Sequence, residues 1–288
     1  TQDWHASFAN YLEGRGLSGH SQKAYLQDLR SFVTWFDQVN RQAFSPDLLT
    51  SMDVRAYRRF RLDERQAAAA SWNRALATLR VFAKWGMAAG FLSCDPTDGV
   101  KGKAQEELPP RWLSKPELNK LMRVCERQVN AAHTEAGRIQ ALRDQAMVYL
   151  MAYAGLREGE VISLNLGDIE ISERKGSVVI WSGKGEKERR LPLNSEARRA
   201  LGLLLAVSSG EWALFLGKKG GRITTRTVQR RVEQLGRAAE VELTPHQLRH
   251  TFAKRLVDEH VPLNVVQKLL GHSRLETTLK YVQPGWED

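Results

Sequence analysis

Ser177-Val178-Val179-Ile180-Trp181, then Gly183-Lys184-Gly185-Glu186-Lys187, then Arg189-Arg190-Leu191-Pro192-Leu193 carry the only convincing β signal in this chain of 288 residues. Two runs rich in β-branched and aromatic residues flank a glycine- and lysine-rich tip, a pattern that predicts an antiparallel hairpin. Elsewhere the apolar residues recur at three- and four-residue steps, the spacing of helices. The hairpin therefore sets the class: mainly α with a small antiparallel sheet (α+β), the sheet lying in the C-terminal half.

Working outward, Ser114-Lys115-Pro116-Glu117 reads as a capping box ahead of Leu118, Leu121 and Met122. A helix is expected from about Leu142 to Ala154, stopped by Gly155. Beyond the hairpin, helices are predicted near 195–207, 225–239, 245–259, 262–270 and 274–282. Four more precede residue 93, carrying Trp4, Phe8 and Leu12; Tyr25, Leu29, Phe32 and Phe36; Val54, Tyr57 and Phe60; and Trp72, Leu76, Leu79 and Phe82. Asp95-Pro96, Asp98-Gly99, Lys101-Gly102-Lys103 and Pro109-Pro110 punctuate a stretch with no apolar period, which reads as a linker. Residues 1–93 then form a helical domain, 94–110 the linker and 111–288 a second domain.

Hydrophobic residues make up 42% of the chain, enough for real cores. No run approaches eighteen apolar residues, and the first residues lack a basic-then-apolar layout, so neither a membrane span nor a secretory signal is expected. Two cysteines cannot build a disulfide framework, and a cytoplasmic, nucleoid-associated protein fits. The net charge is +10, of which +2 falls before residue 111 and +8 after it. A basic chain with interspersed aromatics suits a polyanion partner, most often nucleic acid; surplus surface arginine would give the same composition.

Four separated segments place a polar residue where a helix starts or stops. Arg157 follows Gly155, with Glu160 one turn on. His246 sits in the first turn of a helix opened by Thr244-Pro245, where free backbone N–H groups favour an anion, and Arg249 and His250 share its face. His272 follows Gly271, and Ser273-Arg274-Leu275-Glu276 is expected to cap the next helix, which carries Tyr281. Singly, each has an ordinary explanation: a surface arginine, a core histidine, a solvated Lys184 at a hairpin tip, a packed tyrosine. Together they are an inventory for phosphoryl transfer without a metal. Guanidiniums neutralise phosphate oxygens, histidines donate hydrogen bonds or move protons, a lysine protonates a leaving alkoxide, and a phenol serves as nucleophile.

Ala154-Gly155-Leu156-Arg157-Glu158-Gly159-Glu160, the Gly183-Lys184-Gly185 hairpin, His246-Gln247-Leu248-Arg249-His250 and Leu270-Gly271-His272-Ser273 through Tyr281 follow one another in the order of the signatures of the tyrosine recombinase (phage integrase) family. The chain resembles that family throughout, as an Xer-like two-domain member whose N-terminal helices look like a core-site-binding domain. The resemblance implies a C-shaped two-domain clamp on duplex DNA. It implies that Arg157 and Arg249 clamp the scissile phosphate, that His246 and His272 bond its oxygens, and that Lys184 is the general acid for the departing 5′ oxygen. Tyr281 would attack, giving a 3′-phosphotyrosyl link. Glu160 would orient Arg157 and the histidines, and His250 would pack behind them. No cofactor, metal or ATP is implied, because one phosphodiester is exchanged for another ester of similar energy.

The resemblance further implies four protomers on two DNA sites, each a pair of inverted-repeat core sites, with a Holliday junction between strand exchanges and a second recombinase or accessory factor as a possible partner. Residues 126–140 look longer than in Xer-type members, and seven residues follow Tyr281, a short segment for docking on a neighbouring subunit. Both departures favour a mobile-element enzyme over dimer resolution. No further arm-binding domain of the lambda-integrase kind is expected, because the core-binding helices begin almost at residue 1. For DNA contacts, Arg55, Arg58 and Arg59 crowd the third helix together with Arg61. Arg226, Arg230 and Arg231 lie on a helix expected in the major groove, and Lys218, Lys219 and Arg222 are expected on phosphates. Two other readings compete: a type IB topoisomerase-like nicking-closing enzyme, and a catalytically silent DNA-binding accessory protein.

Overall fold

The two hairpin strands form as read, and a third strand joins them. In the computed structural model, which describes residues 3–105, 110–181, 188–208, 212–217, 220–272 and 274–282 (His20 by its backbone only), β1 (Ile169–Ile171), β2 (Gly176–Trp181) and β3 (Glu188–Pro192) make an antiparallel sheet in the order β1-β2-β3. Val178 lies between Ile169 and Leu191 in the register, and Val178, Ile180 and Leu191 are buried. The hairpin tip, with Lys184, lies outside the described residues. Strand β1 has only three residues and follows a 3-10 turn at Leu166–Asp168, too little for an alternating pattern to register.

The chain divides into two compact units, Thr1–Glu107 and Leu108–Asp288. In the second, α5 (Lys115–Asn130) starts at the anticipated capping box: the Ser114 N–H donates to Glu117 Oε2 at 2.8 Å, and the Glu117 N–H donates to Ser114 Oγ at 3.4 Å. Helix α6 (Glu135–Ala154) is buried on every side from Ala141 onward, which makes it the core's central rod. It starts seven residues earlier than its apolar pattern, because Thr134 caps it through the Gly137 N–H at 3.1 Å while its first turns stay polar. Residues 126–140 are thus the end of one helix, a short turn and the start of the next.

After α7 (Glu158–Ser163) and the sheet come α8 (Ser195–Leu205), α9 (Thr225–Ala238), α10 (Pro245–Asp258), α11 (Leu263–Leu270) and α12 (Glu276–Leu279). The helix anticipated over 274–282 is only the four residues of α12, with Tyr281 just past its end. Leu275 precedes α12 without a side-chain cap, and Ser273 lies outside the described residues.

The first unit holds α1 (Trp4–Gly14), α2 (Gly19–Asn40), α3 (Ser51–Arg59) and α4 (Ala69–Ala88) around an aromatic core. Phe8, Phe32, Phe82, Tyr57 and Trp72 are almost fully buried, with edge-on pairs such as Phe32–Tyr57 at 5.0 Å and Phe8–Phe82 at 5.1 Å. Such pairs add about 0.5–1.5 kcal/mol each beyond area burial. Helix α3 runs on into a π-helical turn at Phe60–Glu64.

One boundary is corrected. The stretch expected to begin a linker at Cys94 is fastened to α4 as far as Lys103. Asn73 exchanges two hydrogen bonds with the Lys103 backbone (2.8 and 2.9 Å), Arg80 donates to the Val100 carbonyl at 2.9 Å, and Thr97 and Val100 are buried. The anchoring side chains lie 20–30 residues upstream, so no local pattern announces them. Among the described residues no helix is long and apolar enough to cross a membrane.

Candidate active site

Two glycines shape the site. Gly155 ends α6 in the left-handed conformation (φ +67°), and a Cβ there would lie 2.3 Å from the Phe252 ring. Gly271 ends α11 in the same way (φ +63°), and a Cβ there would sit 2.9 Å from Arg189 Nη1. Each turn lets the next polar residue double back toward the same place. Arg157 begins α7, where its backbone N–H donates to Glu160 Oε2 at 2.8 Å and its Nη1 to Oε1 at 3.0 Å. Arg157 Nη2 also reaches the Gly271 carbonyl at 3.3 Å, which ties the two turns together.

Glu160 is the hub. Arg189 on β3 donates to both its oxygens, Nη1 to Oε1 at 2.8 Å and Nη2 to Oε2 at 2.7 Å, and to the Leu269 carbonyl at 3.2 Å. Arg249 lies 3.9 Å from the same carboxylate. It is 2% exposed, with Nη1 on the Gly155 carbonyl (2.6 Å) and Nη2 on the Leu270 carbonyl (2.5 Å). Arg189 was missing from the sequence reading, although a signal existed: it shares a strand face with the buried Leu191, so it points inward.

The electrostatics follow from one carboxylate among three guanidiniums. Burial pushes the Glu160 acid up, but hydrogen bonds and charge from Arg189, with help from Arg157, outweigh it and leave it below its usual value. Burial and then the neighbouring Arg157 push Arg249 down to about 10, so it stays cationic at neutral pH. A cleft of about 810 Å³, lined also by Glu158, Glu233, Arg237 and Glu242, runs up to Arg157, Glu160, His246 and Arg249, where three guanidiniums outweigh the one carboxylate they share. An anion there would be bound by preset donors.

The histidines are neutral. His250 and His272 are pushed down to about 4, chiefly by burial and then by the cations and histidines around them, and His246 is lowered by burial and Arg249. His246 and His250 stack with ring centres 5.0 Å apart, one turn apart on α10. His272 Nδ1 is 3.0 Å from Thr278 Oγ1, a partner on α12 that sequence reasoning did not single out. Tyr281 is 3% exposed, and its hydroxyl is 2.7 Å from His250 Nδ1. Burial raises the phenol, while Arg249 and Arg157 pull it back.

Arg157, Glu160, His246, Arg249, His250, His272 and Tyr281 are thus brought to one place, and Lys184 lies outside the described residues. Of the expected DNA contacts, Arg55, Arg58 and Arg59 are exposed on α3 opposite Val54 and Tyr57, and Arg226 and Arg230 are exposed on α9. Two are engaged within the fold. Arg231 turns inward to the buried Asp144 (Nε–Oδ2 2.7 Å), which ties α9 to α6. Arg222 donates to the Ile162 and Leu164 carbonyls at 2.8 Å and packs over Trp212, so it staples backbone. Lys218 and Lys219 lie outside the described residues.

Comparison with known proteins agrees with this geometry. Residues 111–286 match the Phage integrase family, and residues 6–90 match the N-terminal SAM-like domain of phage integrases. The tyrosine recombinase XerC of Neisseria meningitidis serogroup C (strain 053442) is 33% identical over 290 residues, covering 96% of this chain and 90% of the relative. XerC of Vibrio parahaemolyticus serotype O3:K6 is 32% identical over 274 residues, covering 93% and 83%. Among solved structures, XerH site-specific recombinase bound to palindromic difH substrate aligns with a TM-score of 0.73 at 20% identity, over 93% of this chain and 77% of that one. A lambda integrase (75–356) dimer bound to a COC′ core site aligns with a TM-score of 0.73 at 16% identity, over 100% and 97%. Cluster, signatures and relatives lead to one conclusion: this chain belongs to the phage integrase family and is a site-specific tyrosine recombinase.

Proposed function

We propose that this chain cuts and rejoins duplex DNA at paired inverted-repeat core sites. Arg157 and Arg249 would hold the scissile phosphate, each donating N–H groups to a non-bridging oxygen. His246 and His272, held neutral, would donate ring N–H groups to the same oxygens. Tyr281 Oη would attack phosphorus as the P–O5′ bond breaks, leaving a 3′-phosphotyrosyl link, and Lys184 would give the 5′ oxygen its proton. Glu160 orients the guanidiniums. No ATP or metal enters this scheme, since the phosphotyrosyl ester conserves the energy for rejoining. Arg55, Arg58, Arg59, Arg226 and Arg230 would contact DNA. Four protomers on two sites would exchange strands through a Holliday junction, in the service of a mobile element or of dimer resolution.

The observation that carries this reading is the buried Tyr281 placed against histidines beside three arginines that share one carboxylate. A pure binding module has no use for that arrangement. The test is a covalent trap. Wild type and Tyr281→Phe are mixed with a library of genomic DNA fragments and denatured in SDS, and the protein-linked pieces are sequenced. Adducts that require Tyr281 and share a paired inverted repeat are expected. Adducts scattered over unrelated sequences would favour a topoisomerase-like enzyme, and none at all, with binding intact, an accessory role.

A further inference from the structure

The resting hydrogen bond of Tyr281 is a contact that the phosphate-binding roles do not explain. Its hydroxyl lies 2.7 Å from His250 Nδ1, and its side chain is 3% exposed, so water is a poor proton acceptor for it. His250 sits on α10 immediately after the most deeply buried arginine of the site, within one turn of His246. We propose that His250 is a catalytic residue, the base that takes the Tyr281 proton as the phenol attacks the phosphate. This rests on the recombinase reading above, to which it adds the proton's destination.

The chemistry balances. The Tyr281 O–H bond breaks and an Nδ1–H bond forms on His250, while Oη–P forms and P–O5′ breaks. The electron pair leaves with O5′, which is protonated from the acid side of the site. In rejoining, the imidazolium returns its proton to the departing phenolate. His250 must be neutral with its Nδ1 lone pair free, and burial together with His246, Arg249 and His272 keeps it uncharged before DNA arrives. Three of those four influences face the phosphate site. A bound phosphate sets its negative charge against them, which raises the proton affinity of His250 when the proton is due to move. A fully formed phenolate is unnecessary, because transfer accompanies O–P bond formation.

The test separates a base from a prop. Asparagine places a hydrogen-bonding atom close to Nδ1 but has no proton affinity, so His250→Asn preserves positioning of Tyr281 and removes the base. Single-turnover covalent adduct formation is measured on a nicked duplex carrying the site recovered by the trap. The leaving group is either ordinary oxygen or a 5′-bridging phosphorothiolate, which departs without a proton. His250→Asn and His250→Ala are expected to bind this duplex as wild type does and to react ~10²- to 10⁴-fold more slowly with both leaving groups. Lys184→Ala is expected to recover with the sulfur leaving group. Wild-type rates for His250→Asn would reduce His250 to a prop, and recovery with sulfur would put it on the leaving-group side; either overturns the proposal. If wild type forms no adduct, or Tyr281→Phe still forms one, the recombinase reading itself fails and His250 falls with it.

Discussion

The arginine side and the tyrosine side of the site are built by different means. Arg157, Arg189 and Arg249 come from α7, β3 and α10, and their donors are tied to Glu160 and to the carbonyls of Gly155, Leu269, Leu270 and Gly271. That side is assembled before substrate arrives, so it pays no reorganisation during reaction. The tyrosine side rests on α10 and the four-residue α12, with, among the described residues, one side-chain hydrogen bond for His272 and one for Tyr281. Charge needs a rigid frame, because three like-charged groups held near one carboxylate repel one another, and fixed acceptors are needed to offset that repulsion. A neutral phenol and neutral imidazoles do not repel, so short local segments suffice to position them.

The largest effect that would break this contrast comes from Arg157, whose side chain is 40% exposed and so within reach of substrate. Arg157→Ala is expected to lower covalent adduct formation ~10³-fold or more while leaving site binding and thermal stability close to wild type. A large loss of stability instead would make it part of the frame. Glu160→Gln attacks the frame itself. Removing the charge while keeping the shape should cost about 3 kcal/mol in chemical denaturation, because it leaves Arg189 without its ion pair, and should slow cleavage less than Arg157→Ala does. The pH dependence has a definite sign. The Glu160 acid is lowered in the folded chain, so its stabilising contribution is present above the ordinary carboxylate value and fades as pH falls through the lower folded one. Glu160→Gln should remove that part of the acid unfolding curve, and an unaltered curve would show that the pairing adds nothing.

Arg231 sharpens the contrast from outside the site. Burial keeps the Asp144 acid raised even against Arg231 and Arg143, so the pair is costly to break and contributes little by forming. Arg231→Ala should lose a few kcal/mol of stability, about 2–4, with the preferred DNA sequence unchanged; Arg230→Ala, its exposed neighbour, should leave stability alone and weaken DNA binding, reducing the salt dependence by about one counterion. The opposite assignment would restore Arg231 as a reader. The smallest expected effect is that of Gly271→Ala. A left-handed alanine costs about 1 kcal/mol, and its Cβ would crowd the Arg189 guanidinium, so cleavage should fall about tenfold, the rate equivalent of about 1.4 kcal/mol. Comparing its crystal structure with that of wild type would show whether Arg189 has shifted.

Elements whose cause is local were legible in the residues. The capping box at Ser114, the helix start at Thr244-Pro245, the glycine stops at Gly155 and Gly271 and the β-branched run around Val178 each depend on neighbours a few positions away. The arginines, histidines, lysine and tyrosine of the site stood out because their segments follow the order of the family's signatures, whereas their places at helix ends alone gave each an ordinary explanation. Pairings with distant partners were not read, and Arg189 alone left a hint, in the strand face it shares with Leu191. Arg189 became the strongest partner of Glu160 across 29 positions, and Arg231 met Asp144 across 87. Arg222 was drawn to carbonyls about 60 residues upstream, and Lys103 to Asn73. An arginine in a sequence has the same charge whether it faces water or a buried carboxylate. Its fate is settled by which acceptor the packed chain leaves unsatisfied nearby, and only the tertiary structure brings those acceptors within reach.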